Sequence, residues 1–229
     1  MLQIRPSEER GHNRLSWLDS RFTFSFDQYH DPNHVHFRAL RVLNEDVVAP
    51  GRGFGMHPHR DMEILTWILD GAIEHRDSSG GSGIIRPGEL QHMSAGTGVM
   101  HSEFNPSKKD PAHLLQIWLL PERNSLKPEY DQLSFTNEEL RNQFHHVAGP
   151  RAPVTIHQDA DLFIARLDKS VETKHSLKDG RHAWVQVARG AVRLNGTDLK
   201  AGDGVAISNE RQVRIQAKET AEVLLFDLA

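Results

Sequence analysis

Cysteine is absent from the 229 residues, which excludes disulfides, thiolate metal ligands and a cysteine nucleophile. Any metal site in this chain must therefore be built from imidazole nitrogen and from oxygen. Long apolar runs are missing too. No stretch approaches the roughly 20 residues that span a bilayer, and the opening "MLQIRPSEERGHNR" carries charges where a secretory signal would place its apolar segment. These absences predict a cytoplasmic protein with no membrane partner. Nor is there a block of one charge: 27 lysines and arginines stand against 31 aspartates and glutamates, a formal net charge of -4. The basic residues are scattered, with "SKKD" at 107–110 their densest group. Neutralising several phosphates needs clustered cations, so a nucleic-acid partner is not expected.

What the sequence does contain is a series of short β-branched and aromatic runs separated by turn signals. They are "FTFSF" (22–26), "HFRALRVL" (36–43), "EILTWIL" (63–69), "GAIEHRD" (71–77) and "HLLQIWLL" (113–120), with "SSGGSG" and "RPGE" among the breaks. This pattern predicts an all-β sandwich or barrel of antiparallel strands with few short helices. The best helix candidate is "TNEELRNQF" (136–144), where Thr136 and Glu139 have capping-box spacing. The segment from Trp67, "WILDGAIEHRDSSGGSGIIRPGELQHMSAG", resembles that from Trp184, "WVQVARGAVRLNGTDLKAGDGVAISNE". One repeat at so long a separation implies two copies of a β domain rather than a solenoid. Proline and polar residues between 121 and 150 mark the join, giving an N-terminal metal-binding domain over 1–130 and a metal-free C-terminal domain over 131–229. Trp184 is expected in the core of the latter.

The chemistry concentrates in the first copy. His57-x-His59 and, further on, His101-x-Glu103 each have the spacing that puts two side chains on one face of a strand, roughly 6.6 Å apart along it. On neighbouring strands the two pairs would offer three imidazoles and a carboxylate to one ion. Without thiolates, that set suits iron, manganese, cobalt, nickel or copper, and less obviously a structural zinc. Glu63, four residues after His59, shares its strand parity and could replace Glu103, or face the pocket and hydrogen-bond a ligand. Of the 15 histidines, His34 and His36 lack a second pair, and His145 and His146 point opposite ways on a strand; these four read as surface, core or loop residues. The isolated His175 and His182 give the second copy no ligand set. Gln91 and His92 are candidates to hydrogen-bond a ligand, and Met93, Met100, Leu115 and Trp118 to flank the pocket or fill the core.

Gly51, His57-x-His59, Glu63 and Gly71 follow the first cupin motif, and Gly98, His101 and Asn105 part of the second. "ERGHNRLSWLDSRFTFSFDQYHDP", "ALRVLNEDVVAPGRGFGMHPHRDMEILTWILDG", "MSAGTGVMHSEFNP" and "LLQIWLLP" together resemble the pirin family, most closely its bacterial quercetin 2,3-dioxygenase-like members. Gly96, where the cupin motif has proline, is also pirin-like. The resemblance implies a bicupin of two face-to-face jelly-roll-like β barrels with one metal in the N-terminal barrel. It carries the ligand roles onto His57, His59, His101 and Glu103 and leaves Glu63 as a conserved non-ligand acid. The implied cofactor is one divalent transition metal, iron(II) foremost, with manganese, cobalt, nickel, copper or zinc able to serve. The implied reaction opens the central ring of a flavonol such as quercetin with dioxygen and releases carbon monoxide. Because a base must lie within hydrogen-bond reach of the proton it takes, Glu103 is then the expected catalytic proton acceptor. Two other readings use similar residues. One is a metal-dependent regulatory module that binds a protein partner without turnover; the other is a cupin isomerase or sugar-binding protein, which would need side chains for several hydroxyls.

Overall fold

Strands whose side chains alternate between buried and exposed, as in "VMHSEF" and "QVRIQA", have one face on a core and the other on solvent. The computed structural model, which describes residues 1–229, contains such strands beside longer ones buried along nearly their whole length, as in "EILTWIL" and "AEVLLFDL". The chain divides into two compact units. The first, residues 11–134 with 156–158, contains β2 (Gly11–Arg14), β3 (Leu18–Phe22), β4 (Leu40–Val48), β5 (Gly53–His59), β6 (Glu63–Asp70), β7 (Ile73–Asp77), β8 (Ser82–Ile85), β9 (Glu89–Ser94), β10 (Val99–Phe104), β11 (Ala112–Leu119) and β12 (Glu129–Ser134). The second, residues 1–10, 135–155 and 159–229, contains β1 (Leu2–Arg5), α1 (Asn137–Leu140), β13 (His145–Gly149), β14 (Val154–Thr155), β15 (Ala160–Leu167), β16 (Glu172–Ser176), β17 (His182–Arg189), β18 (Ala191–Leu194), β19 (Thr197–Lys200), β20 (Gly204–Ile207), β21 (Gln212–Ala217) and β22 (Ala221–Leu228).

Each unit is a seven-stranded sheet paired with a four-stranded one. In the first the orders are β12-β9-β6-β11-β4-β3-β2 and β5-β10-β7-β8; in the second, β1-β20-β17-β22-β15-β13-β14 and β16-β21-β18-β19. Apart from the short parallel pair β13–β14, neighbours run antiparallel. The chain is thus an all-β bicupin, and the internal repeat has a structural counterpart. Trp67 on β6 and Trp184 on β17 are both buried in the larger sheet, and Gly71 and Gly190 each follow that strand with φ +74. A Cβ on Gly71 would lie 2.6 Å from the Pro111 carbonyl oxygen, and one on Gly190 2.2 Å from that of Thr220. Both glycines serve a left-handed turn pressed against the entry to the next long strand, where any larger residue collides. No helix is long and apolar enough to cross a membrane.

Three expected elements differ in extent. Of "FTFSF" only Phe22 is in a strand; Ser25 instead bonds the loop, its N–H to the His34 carbonyl at 2.7 Å and its hydroxyl to that of Asp31 at 2.9 Å. β4 begins at Leu40 rather than at 36 because Arg38 adopts φ +55. The capping box at Thr136 and Glu139 forms, yet α1 stops at Leu140, since Arg141 is extended and Asn142 has φ +60.

The two interiors differ in chemistry. In the second unit, Val213, Ile215 and Ala217 of β21 join Val185, Val187, Leu194 and Leu225 in one apolar cluster. In the first unit, the corresponding strand β10 turns His101 and Glu103 inward, both buried. We expect Gly190→Ala to destabilise the protein by about 2 kcal/mol or more, from the left-handed backbone and the collision together, read as a lower urea midpoint.

Candidate metal centre

β5 pairs antiparallel with β10, setting His57 opposite His101 and His59 opposite Val99. Side chains two apart share a face, so His57 and His59 point inward while Met56 and Pro58 are exposed. The three rings converge: centroids are 4.8 Å apart for His57–His59, 4.4 Å for His57–His101 and 4.6 Å for His59–His101. One nitrogen from each lies within 4.8 Å of the others. The Nε2 atoms of His57 and His101 are 2.9 Å apart. Two nitrogens bound at right angles to one ion, at roughly 2.1 Å each, would stand about 3 Å from each other, so this spacing fits shared coordination.

Hydrogen bonds at the far sides of the rings fix which nitrogen is free. His57 donates from Nδ1 to the Gly55 carbonyl at 2.7 Å, leaving the Nε2 lone pair for the centre. β7 flanks β10 on its other edge and sets Asp77 opposite His101 and His75 opposite Glu103. His75 Nε2 lies 3.0 Å from Asp77 Oδ2, and His101 Nδ1 lies 3.5 Å from His75 Nδ1. With the carboxylate as acceptor, His75 donates from Nε2, accepts at Nδ1 from His101, and so directs the His101 Nε2 lone pair inward. His59 Nε2 is buried without a partner. Two of the imidazoles are thus oriented to present a lone pair, and the third offers a ring nitrogen that no other group claims.

Burial first, then the neighbouring His57, lowers the His59 pKa to about 4. Burial, then His59, His57 and His75, lowers that of His101 to about 2, with Asp77 opposing. Both rings are therefore neutral at pH 7, the form that binds metal.

Glu103 is held from the adjacent sheet. Gln116 on β11 donates from Nε2 to both carboxylate oxygens, at 2.9 and 3.1 Å, and the Thr66 hydroxyl on β6 donates to Gln116 Oε1 at 3.1 Å. Ligand atoms of Glu103, His101 and His75 also lie within 4.8 Å of one another, so His101 is common to two clusters. The register shifts between His101 and Glu103, an extra residue on β5 that bulges the strand near Gly55. Gly53 permits this: a Cβ there would be 2.1 Å from the Glu103 carbonyl oxygen. Gly51 serves a turn with φ +66, whereas Gly55 meets nothing.

A family model named Pirin matches residues 3–119 of this chain. The chain belongs to the pirin family. A model described as quercetinase C-terminal cupin domain matches residues 147–228. This pirin is 45% identical over 228 residues to quercetin 2,3-dioxygenase of Escherichia coli K12, an alignment covering 100% of this chain and 99% of the relative. It is 43% identical to a putative quercetin 2,3-dioxygenase of Pasteurella multocida, over the whole of both. Among solved structures, E. coli YhhW superposes with a TM-score of 0.96 at 45% identity, covering 100% of this chain and 98% of that one. Bacterial pirin YhhW from E. coli in complex with nickel(II) gives 0.94, with 100% and 99% covered.

A cavity of about 520 Å³ opens onto the centre, bounded by His57, His59 and Glu103. Its walls are aromatic: Trp17 meets Phe54 edge-on at 5.3 Å, Phe26 meets Trp118 at 5.4 Å, and Trp118 meets His59 at 4.8 Å. The β5 bulge lets Phe54 and His57, three apart, line the same cavity. Of the four apolar residues singled out from the sequence, only Trp118 lines it. Met93 packs with Ile64 and Val99, Leu115 is fully buried, and Met100 faces solvent.

Glu63 stands apart from the histidines. It accepts from His92 Nε2 at 2.9 Å, from the Ser94 hydroxyl at 2.6 Å and from the His157 backbone N–H at 3.1 Å. Burial works to raise its pKa, but these bonds outweigh it and hold the carboxyl below its ordinary value. Strand parity failed here because Asp61 takes φ +48, ending β5 and starting β6 in the other sheet. His92 thus serves Glu63 rather than the centre. Gln91 lies beside Thr66 in the sheet register. His34 and His36 bond Asp31 and the Arg38 carbonyl, His146 bonds Asp161, and His145 packs on Phe135. His75 and Asp77 were missed, although "EHRD" has the same alternate spacing as the pairs that were found.

These shifts have a sign. Folded-state pKa values below the unfolded one mean that the unfolded chain takes up protons first as pH falls. After chelator treatment, the melting temperature should drop as pH is lowered from about 6.5 towards 4. His59→Phe should flatten that part of the profile in a calorimetric series.

Proposed function

We propose that this pirin is a metal-dependent quercetin 2,3-dioxygenase, holding one divalent ion on His57, His59, His101 and Glu103. The observation that carries the reading is the convergence of three imidazole lone pairs, each fixed or left free by its surroundings, beside a buried carboxylate at the wall of an aromatic cavity. Three nitrogens and one oxygen suit iron(II), the ion we favour, and also manganese, cobalt, copper and nickel; nickel(II) is the ion in the solved E. coli pirin. When bound, the ion would acidify the flavonol 3-hydroxyl and bring dioxygen to the substrate.

The chain's own residues do the rest. Trp17, Phe22, Phe26, Phe54 and Trp118 offer flat apolar walls to a planar three-ring substrate, and 520 Å³ lies within the usual range of ligand sites. These walls exclude water from the opened ring. Glu103, kept in orientation by the Gln116 amide, accepts the proton of the 3-hydroxyl. Both atoms of dioxygen enter the ring-opened ester, and the carbon that bore that hydroxyl leaves as carbon monoxide. Asp77 and His75 act through His101, setting its tautomer and its angle.

The test is aerobic incubation of the metal-loaded protein with quercetin, following loss of its visible absorbance and release of carbon monoxide. Glu103→Gln should lower kcat by about 10²- to 10⁴-fold; full turnover by this variant with metal bound would remove the proton-acceptor role. Absence of turnover with iron, manganese, cobalt, nickel and copper, together with tight capture of a protein partner, would favour the regulatory reading. Asp77→Asn and His75→Phe should weaken metal affinity about 10- to 100-fold, measured by competition with a chromogenic chelator. Unchanged affinity in both would limit that pair to a packing role.

A further inference from the structure

The glycine-rich turn "SSGGSG" (78–83) leads from β7 into β8, and two of its glycines are required by one aromatic ring. A Cβ on Gly81 would lie 2.7 Å from Tyr130 Cγ and 2.2 Å from Asp77 Oδ2, and one on Gly83 would lie 2.7 Å from Tyr130 Oη. The turn is kept bare of side chains where that ring passes. Tyr130 belongs to β12, at the edge of the larger sheet, and its ring reaches across to β7 of the smaller one. There it stacks on His75, with centroids 5.1 Å apart and planes 30° apart, an offset geometry that aromatic pairs favour.

The stack completes the surroundings of His75. Its Nε2 faces Asp77 and its Nδ1 faces His101, and the side chains of His75 and Asp77 are both fully buried. Asp77 is fixed by the turn: its Oδ1 accepts from the Ser79 hydroxyl at 2.6 Å, the Ser79 N–H at 2.8 Å and the Gly81 N–H at 3.0 Å. Bonds at Nε2 and Nδ1 hold the imidazole at two points in its plane and leave it to rock about the line between them. A ring laid on its face removes that motion. Tyr130 is held in turn, because its hydroxyl donates to Gln132 Oε1 at 2.9 Å while Gln132 Nε2 donates to the Ile84 carbonyl and to Glu89 Oε2, both at 3.1 Å. Burial first, then Asp77, Glu89 and Asp131, raises the phenol pKa to about 12, so the group remains a neutral donor.

We infer that Tyr130 is a positioning residue for the metal centre: its ring fixes the plane of His75, which in turn orients His101 towards the ion. The inference rests on the reading of His57, His59, His101 and Glu103 as metal ligands, and not on the reaction the metal then serves. It assigns the effect to the ring, which touches His75, rather than to the hydroxyl, which bonds Gln132.

The test is nickel affinity of the full chain, by competition with a chromogenic chelator, together with the visible spectrum of the cobalt(II)-loaded protein, which responds to the ligand angles at the ion. Tyr130→Leu should weaken affinity about tenfold and shift the cobalt bands in the direction that His75→Phe shifts them. Tyr130→Phe, which keeps the ring, should retain wild-type affinity and unshifted bands. In the double variant Tyr130→Leu/His75→Phe the loss should be no greater than for His75→Phe alone, since two residues acting along one path are not additive. Wild-type affinity in Tyr130→Leu, equal losses in Tyr130→Leu and Tyr130→Phe, or multiplied losses in the double variant would each overturn the assignment. Should Tyr130→Leu melt below the assay temperature, Tyr130→Met, whose flexible chain fills the gap, takes its place. Wild-type protein that binds neither nickel nor cobalt would overturn the ligand reading and this inference together. The expected affinity pattern without quercetin turnover upholds Tyr130 and removes the dioxygenase reading alone.

Discussion

Antiparallel pairing of β5 with β10 sets His57 against His101, and everything the cavity can hold follows from that register. Because strand side chains alternate with a period of two, a slip of one residue would turn His57 and His59 outward and bring Met56 and Pro58 in. The pairing is specified by backbone sterics as much as by side chains. Gly53 lies where any Cβ would strike the Glu103 carbonyl, so the close approach that fixes the register is available only to glycine. The bulge that follows frees the Gly55 carbonyl to accept from His57. A departure from regular pairing thereby orients a candidate ligand.

A barrel with a polar interior has to satisfy what it buries. Here the load is distributed over rows set by the sheets. Gln116 and Thr66 answer Glu103, His75 and Asp77 answer His101, and His92, Ser94 and the His157 backbone answer Glu63. The second unit repeats the order of the smaller sheet and of the four central strands of the larger one around an interior of valine, isoleucine, leucine and alanine, and differs at the edges, where β14 runs parallel to β13. A shared central topology thus supports two interiors of opposite character, and chemistry in this chain belongs to the side chains that one barrel turns inward rather than to the fold.

The sequence makes legible whatever depends on short-range periodicity. His57-x-His59 and His101-x-Glu103 could be read as converging pairs because each lies within one regular strand, and the repeat could be read because Gly71 and Gly190 answer the same steric demand. Where the chain turns with a non-glycine residue in the left-handed region, legibility fails. Asp61 broke the parity that linked Glu63 to His59, and Arg38 delayed β4. "FTFSF" has strand composition, but its backbone is claimed by a loop whose partners, Asp31 and His34, lie downstream. His75 and Asp77 had a readable spacing, yet their importance depends on β7 lying beside β10, a long-range pairing that composition does not encode.

Pairing also explains why the cavity is not simply a defect in packing. A core closed for stability alone would fill a space of about 520 Å³, since lost van der Waals contact and an empty volume both destabilise. The second barrel packs valine, isoleucine, leucine and alanine in its interior, whereas the first keeps five aromatic rings around an opening and buries His59 Nε2 without a partner beside two further imidazoles. Leaving that nitrogen unpaired costs stability in the empty protein, as does the open volume, and an apolar substitution would relieve both. A cost retained where ligand atoms converge is what a site kept for an occupant requires and a packing defect does not.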